Sequence, residues 1–175
     1  MDHQPDRNES IKKLAEMIKG IRVTMMTTVE EDGSLRSRPM ATQQTEFDGN
    51  LWFFTGASSP KIDEVQQDQH VNLSYADPDS NRYVSLSGTA KLVSDKQKAK
   101  ELWNPFVKAW FPKGLDDPEL ALLKVTIDSA EYWDSPSSKM VQLAGLAKAL
   151  ITGKPIKGGE NEKLDLDQQN YGYQA

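Results

Sequence analysis

Short β-favouring runs alternate with polar turns along this chain, and amphipathic helical stretches sit at its start, its middle and its far end. From Ser10, the positions Ile11, Leu14, Ala15 and Ile18 share one helical face, and Gly20 suits the stop. The pattern predicts a helix covering one end of a sheet. Residues 1–9 are polar and read as a flexible N-terminus. Val23 to Val29 is rich in β-branched residues and predicts a strand. Asp32-Gly33 supplies a hairpin turn, because that pair tolerates positive φ angles. The chain returns from Leu35 to Gln43. Period-two alternation there puts Arg36, Arg38 and Met40 on one face and Ser37, Pro39 and Ala41 on the other. Asp48-Gly49 makes a second hairpin turn into a buried strand, Leu51-Trp52-Phe53-Phe54-Thr55.

A short helix follows Pro60, with Ile62 and Val65 inward, and a strand from His70 to Ala76 buries Val71, Leu73 and Tyr75. Asp77 to Asn81 is a turn cluster. Arg82 to Val93 predicts a long strand in which Gly88 marks a bulge or sharp bend. Ser94-Asp95-Lys96-Gln97 matches a capping box, and the stripe Ala99, Leu102, Trp103, Phe106, Val107 and Trp110 predicts a helix that Pro105 kinks or interrupts. Trp103 and Phe106 read as core. Trp110 and Phe111, beside Pro112-Lys113-Gly114, read equally as core packing or as a subunit interface or pocket lid. A further strand runs from Leu122 through Ser129 to Asp134. An amphipathic helix follows from Ser138 to near Gly153, and residues 154–175 form a polar tail without a core of its own. Six short strands, no repeated βαβ unit and no Gly-rich dinucleotide fingerprint together predict a mainly β fold. It is an antiparallel barrel with peripheral helices, spanning residues 10–153.

Composition narrows the chemistry. A chain of 175 residues, 37% hydrophobic and 27% charged, suits one soluble domain. The absence of cysteine removes disulfides, zinc–thiolate sites and thiol catalysis. No apolar run approaches the roughly 20 residues needed to cross a bilayer, and no secretory h-region is visible, so no membrane association and a cytoplasmic location are expected. The net charge of −5 argues against a general nucleic-acid surface. An anionic ligand must then find local cations, which directs attention to Arg36, Arg38 and Lys61.

Lys61 lies in the stretch Thr55-Gly56-Ala57-Ser58-Ser59-Pro60-Lys61. Ser59 reads as an N-cap and Pro60 as the first helical residue, so a helix N-terminus arrives beside two hydroxyls and a lysine. Such a corner suits a phosphate; equally, it is an ordinary strand–turn–helix bend whose hydroxyls only cap. Pro39 breaks the ladder of its strand, which leaves either backbone groups free for a ligand or an exposed edge protected by charge and proline. His70 lacks partners for a metal site or a triad and reads as a surface residue, and no metal site is expected.

Arg38-Pro39-Met40, Trp52-Phe53-Phe54-Thr55, Ser59-Pro60-Lys61, Val71-Asn72-Leu73-Ser74-Tyr75-Ala76, Val84 to Ala90 and Glu131-Tyr132-Trp133-Asp134 occur in that order. Over about residues 10–150 this order resembles the FMN-binding split-barrel superfamily of pyridoxamine phosphate oxidase, most closely its general stress protein branch. The resemblance implies an antiparallel Greek-key split barrel that forms a homodimer with FMN at the subunit interface. It implies that Arg38, Pro39 and Met40 lie along the flavin, with Arg38 a candidate cation for the ring's N1–C2 edge. Phe54 and Thr55 would contact the flavin and its phosphate side, Ser59 and Lys61 would hold the phosphate, and Trp133 would approach from the other subunit. Pro60 stands where the oxidase has an arginine, and Tyr83 stands near the place of its flavin-contacting glutamine. The oxidase's C-terminal Arg and His substrate residues have no counterpart, since Ser137-Ser138-Lys139 leads into a helix. The implied function is therefore an FMN oxidoreductase or flavin reductase with NADH or NADPH as donor, not a pyridoxamine phosphate oxidase. The alternatives are a non-enzymatic flavin store or redox sensor, and a flavin-free interaction module.

Overall fold

A computed structural model describes residues 6–43, 45–135, 146, 148–152 and 159–166. Helix α1 runs Arg7–Ile18 and buries Leu14, Met17 and Ile18. It begins at Arg7 rather than Ser10, because Asp6 and Glu9 form a reciprocal capping box: each side chain accepts from the other's backbone N–H. Residues 6–9 are thus part of the helix start, not of a loose terminus.

Strands β1 (Val23–Val29) and β2 (Leu35–Ala41) form a hairpin whose ladder pairs Val23 with Ala41 and Val29 with Leu35. The turn between them needs Gly33 at φ +82°, a conformation costly for any residue with a Cβ. Next come β3 (Asn50–Gly56), α2 (Pro60–Gln67), β4 (His70–Asp77) and β5 (Arg82–Val93). After these the chain forms α3 (Lys96–Leu102), α4 (Pro105–Trp110), β6 (Leu120–Asp134) and β7 (Glu160–Asp165).

The strands make one antiparallel, curled sheet in the order β2-β1-β4-β5-β6-β3, with β7 also on β6. Strand β6 is the spine. One edge pairs with β5 along its length; the other is shared, with β3 on Leu120–Thr126 and β7 on Ser129–Asp134. The expected irregularity at Gly88 is present as a register shift between Ser87 and Gly88. A Cβ at Gly88 would stand 2.2 Å from the Thr126 carbonyl oxygen, so only glycine fits. The end strands β2 and β3 touch without sharing a ladder. That gap is the split of the barrel. The concave side holds the core, with Met26, Phe53, Leu73, Leu86, Leu123 and Val125 buried. Burial of this kind contributes about 25 cal/mol per Å² of apolar surface.

Three expectations change. The region 154–175 is not simply a tail: Glu160–Asp165 pairs with β6, and Leu164 and Leu166 are buried in the main core. The cap of α3 is Asp95, which accepts from the Lys98 N–H at 2.8 Å, so Ser94 does not start a capping box. Pro105 does interrupt the aromatic stretch, as one of the two expected outcomes: the first helix ends at Leu102, and Asn104 caps the second through the Phe106 and Val107 N–H groups. The break shifts the helical phase, so Phe106 is 59% exposed instead of packed in the core. The helix expected over 138–153 lies largely outside the described residues; Leu146 and residues 148–152 are helical. Among the described residues no helix is long and apolar enough to cross a membrane.

Candidate functional site

The β3–α2 corner gathers its three polar side chains. Thr55 is buried because it falls on the inward face of β3 together with Leu51 and Phe53. Ser59 occupies the N-cap position of α2, yet its hydroxyl makes no capping bond. Instead Lys61 Nζ donates to Ser59 Oγ at 2.6 Å and to Thr55 Oγ1 at 2.8 Å. The intervening turn is held from outside the corner. Glu119 accepts from the Ala57 N–H through its backbone carbonyl at 2.8 Å and from the Ser58 hydroxyl through its carboxylate at 2.7 Å. Burial, then the nearby Arg38 charge, lower the Lys61 pKa, with Glu64 pulling the other way. A partly desolvated ammonium between two hydroxyls gains from an incoming anion, which restores its favoured charged state.

This corner closes one end of a cleft of about 390 Å³ that opens where β2 and β3 part. Pro39, Met40, Ala41 and Gln43 line it from β2 and the residues just beyond, and Phe54, Thr55 and Gly56 from β3. Phe106, Val107, Trp110 and Phe111 come from α4 and its end. Its size lies within the roughly 300–1,000 Å³ of small-molecule sites, and its chemistry matches them too: an apolar slot with a few placed polar groups. A larger hollow of about 830 Å³, between α1 and residues 42–51, shares only Gln43 with the cleft and does not reach the lysine corner.

Of the eight residues singled out from sequence, Pro39, Met40, Phe54, Thr55 and Lys61 line this one cleft, and Ser59 joins through Lys61. Arg38 stands behind them. Its Nη1 donates to Thr28 Oγ1 at 2.7 Å and its Nη2 pairs with Glu64 Oε2 at 2.7 Å, while Thr28 donates to the same carboxylate oxygen at 2.5 Å. Burial tends to raise the Glu64 carboxyl, but hydrogen bonds from Thr28 and Arg38 outweigh it and hold the pKa below its ordinary value. Among the described residues Lys61 is thus the cation that lines the cleft, and Arg38 ties β2 to α2 beneath it. Trp133 is remote from its own chain's cleft. It is 40% exposed toward the far end of β6, opposite Tyr83 and Asn161. Arg36 pairs with Glu30, and His70 with Asp68, both on the surface.

Gln43, Phe106, Val107 and Glu64 were not anticipated from sequence as site residues. Glu64 follows Lys61 by three positions and so shares its helix face, which was the available signal. Trp110 and Phe111 do line the cleft, as the lid alternative required.

Comparison with known proteins agrees with this architecture. A family model described as pyridoxamine 5'-phosphate oxidase like matches residues 9–157. Protein bli-3 of Neurospora crassa is 32% identical, over 89% of this chain and 79% of that protein. The solved structure of a general stress protein 26 relative from Jannaschia sp. CCS1 superposes with a TM-score of 0.74 at 26% identity, over 90% of this chain and 99% of that one. The general stress FMN/FAD binding protein of Xanthomonas citri superposes with a TM-score of 0.63 at 32% identity, over 73% of this chain and 89% of that one.

Proposed function

The chain belongs to the pyridoxamine 5'-phosphate oxidase-like family, and from that premise we propose that it is an FMN-dependent oxidoreductase or flavin reductase working as a homodimer. One observation carries the reading: Lys61 Nζ is held between Thr55 Oγ1 and Ser59 Oγ at the end of an apolar cleft. That arrangement fits a flat ring ending in a phosphate. The 32% identical Xanthomonas citri protein, described as FMN/FAD binding, supports the same choice of ligand. When bound, FMN supplies the hydride and electron transfer itself. Lys61, Thr55 and Ser59 would hold the phosphate. Pro39, Met40 and Phe54 would orient the ring and keep water from it.

The convex face of the sheet supports self-association. Val23, Met25, Tyr83 and Trp133 are exposed there. Neighbouring polar groups satisfy one another: Asn72 donates to Ser85 at 2.8 Å, Ser74 to Asn72 at 3.0 Å, and Thr27 and Ser37 share a bond of 2.6 Å. A face already satisfied in this way loses little on leaving water. In this arrangement Trp133 would reach the partner's cleft.

Purified protein mixed with FMN should give a bound flavin spectrum and a light-scattering mass of twice the chain. Protein that is colourless once added FMN has been removed by gel filtration refutes the cofactor, leaving the interaction-module reading. A second reading is a flavin store, in which the same cleft holds FMN without turning over a donor. Anaerobic mixing with NADH or NADPH decides between them: rapid bleaching supports a reductase, and a stable yellow solution supports a store.

A further inference from the structure

Among the described residues, little is packed behind the aromatic wall of the cleft. Phe106, Val23, Ala41 and Gln43 line the cleft on one side and a second hollow, of about 520 Å³, on the other. Helix α4 buries only Val107, and Trp110 is 72% exposed. Chain breakers bound it: Pro105 at its start and Pro112-Lys113-Gly114 beyond its end. A short element between two hollows is not positioned by close packing; polar contacts must place it.

One set of such contacts is present. Gln43 is 8% exposed, lies just beyond β2, and donates through Nε2 to the Ala41 carbonyl at 3.3 Å. Its Oε1 accepts from Asn104 Nδ2 at 3.0 Å. The other end of the same amide, Asn104 Oδ1, caps α4 by accepting from the Phe106 N–H at 3.0 Å and the Val107 N–H at 3.1 Å. An unbroken hydrogen-bonded path therefore links the cleft's β2 wall to its helical wall. A buried amide in such a path must keep both partners, so it holds one geometry.

We propose that Gln43 is a positioning residue: through Asn104 it sets the distance of the Phe106–Trp110 wall from β2, and hence which ring widths the cleft accepts. This rests on the cofactor reading above. Among the described residues the Lys61 ammonium bonds to Thr55 and Ser59, and the lysine corner is not part of the path. Gln43 therefore governs the ring and leaves the phosphate alone.

The test separates ring from phosphate, using FMN and inorganic phosphate as probes in calorimetric titrations. Gln43→Leu removes the path. Asn104→Ser keeps a capping oxygen too short to reach Gln43. Both should weaken FMN by about tenfold while inorganic phosphate changes by less than about twofold. Gln43→Glu keeps the acceptor for Asn104 but can donate to the Ala41 carbonyl only when protonated, so it should restore FMN affinity only as pH falls into the acid range. Unchanged FMN affinity in both disrupting variants, or a parallel loss of both probes, overturns the proposal. A ligand-free measurement stands beside it. Amide hydrogen exchange over residues 104–111 should quicken about tenfold in Gln43→Leu with β3 and β6 unchanged. Exchange equal to wild type overturns the pin. Wild-type protein that binds no FMN overturns the cofactor reading instead, and the exchange result then decides the pin alone.

Discussion

Replacing Glu64 by glutamine keeps the side chain's shape and removes its charge. In the native protein that carboxylate takes a hydrogen bond from Thr28 and an ion pair from Arg38, and it is only 8% exposed. Charge-assisted hydrogen bonds are worth roughly 1 kcal/mol more each than neutral ones, so two downgraded contacts cost about 2 kcal/mol. This sits below the roughly 3–5 kcal/mol for breaking a fully buried pair, because glutamine still accepts and solvent reaches part of Arg38. For a chain of this size the thermal midpoint should fall by roughly 4–8 °C. The deficit should also depend on pH. Glu64 titrates below its ordinary value of 4.5 in the fold, so the unfolded state binds more protons between the two values. Its stabilisation is present above about pH 4.5 and lost as pH falls through the native pKa. Urea unfolding of wild type and Glu64→Gln at neutral and acid pH measures this directly. A neutral-pH deficit under about 0.5 kcal/mol, or one that does not shrink in acid, refutes the reasoning.

Other changes test the remaining parts. Lys61→Ala should weaken FMN by roughly tenfold to a hundredfold and riboflavin much less, since a charge-assisted contact is lost only with the phosphate; calorimetry with both ligands checks it, and equal losses would remove Lys61 from the phosphate. Because burial and Arg38 lower the Lys61 pKa, FMN affinity should fall as alkaline pH strips that proton, and Lys61→Arg should carry affinity to higher pH; titrations across the alkaline range show whether it does. Leu164→Ala should cost about 2–5 kcal/mol in urea unfolding, whereas a tail outside the core would show no change. Gly88→Ala should destabilise by about 3 kcal/mol or prevent folding, because its methyl meets the Thr126 carbonyl; a wild-type thermal midpoint would contradict the bulge.

Elements whose own residues carry the signal were legible in the chain. The strands at Val23–Val29 and Arg82–Val93 have the boundaries that their β-branched and alternating residues suggest. The corner of Thr55, Ser59 and Lys61 was legible because three polar groups fall within one turn of chain, and local geometry nearly forces them together. Strand β7 was not. Glu160-Asn161-Glu162-Lys163 has a polar, helix-tolerant composition, and it becomes a strand because β6 offers an open edge. The role of Arg38 was hidden for a similar reason. Its partners Thr28 and Glu64 lie ten residues before it and a helix beyond it, so its charge looks free until the hairpin and α2 close over it. Phe106 shows the opposite failure. A regular apolar stripe ran across Pro105, and the break in helical phase turned an expected core residue into cleft wall.

The order in which β6 gains its neighbours has a consequence during synthesis. When Asp134 leaves the ribosome, β5 and β3 are already available to pair, but among the described residues the Ser129–Asp134 edge has no strand partner until Glu160–Asp165 emerges. Throughout that interval the nascent chain displays a bare strand edge beside Tyr132, an invitation to edge-to-edge association with other newly made chains. Translational pausing between these two points should lower the yield of soluble product, and a chaperone acting on this protein has its busiest moment there.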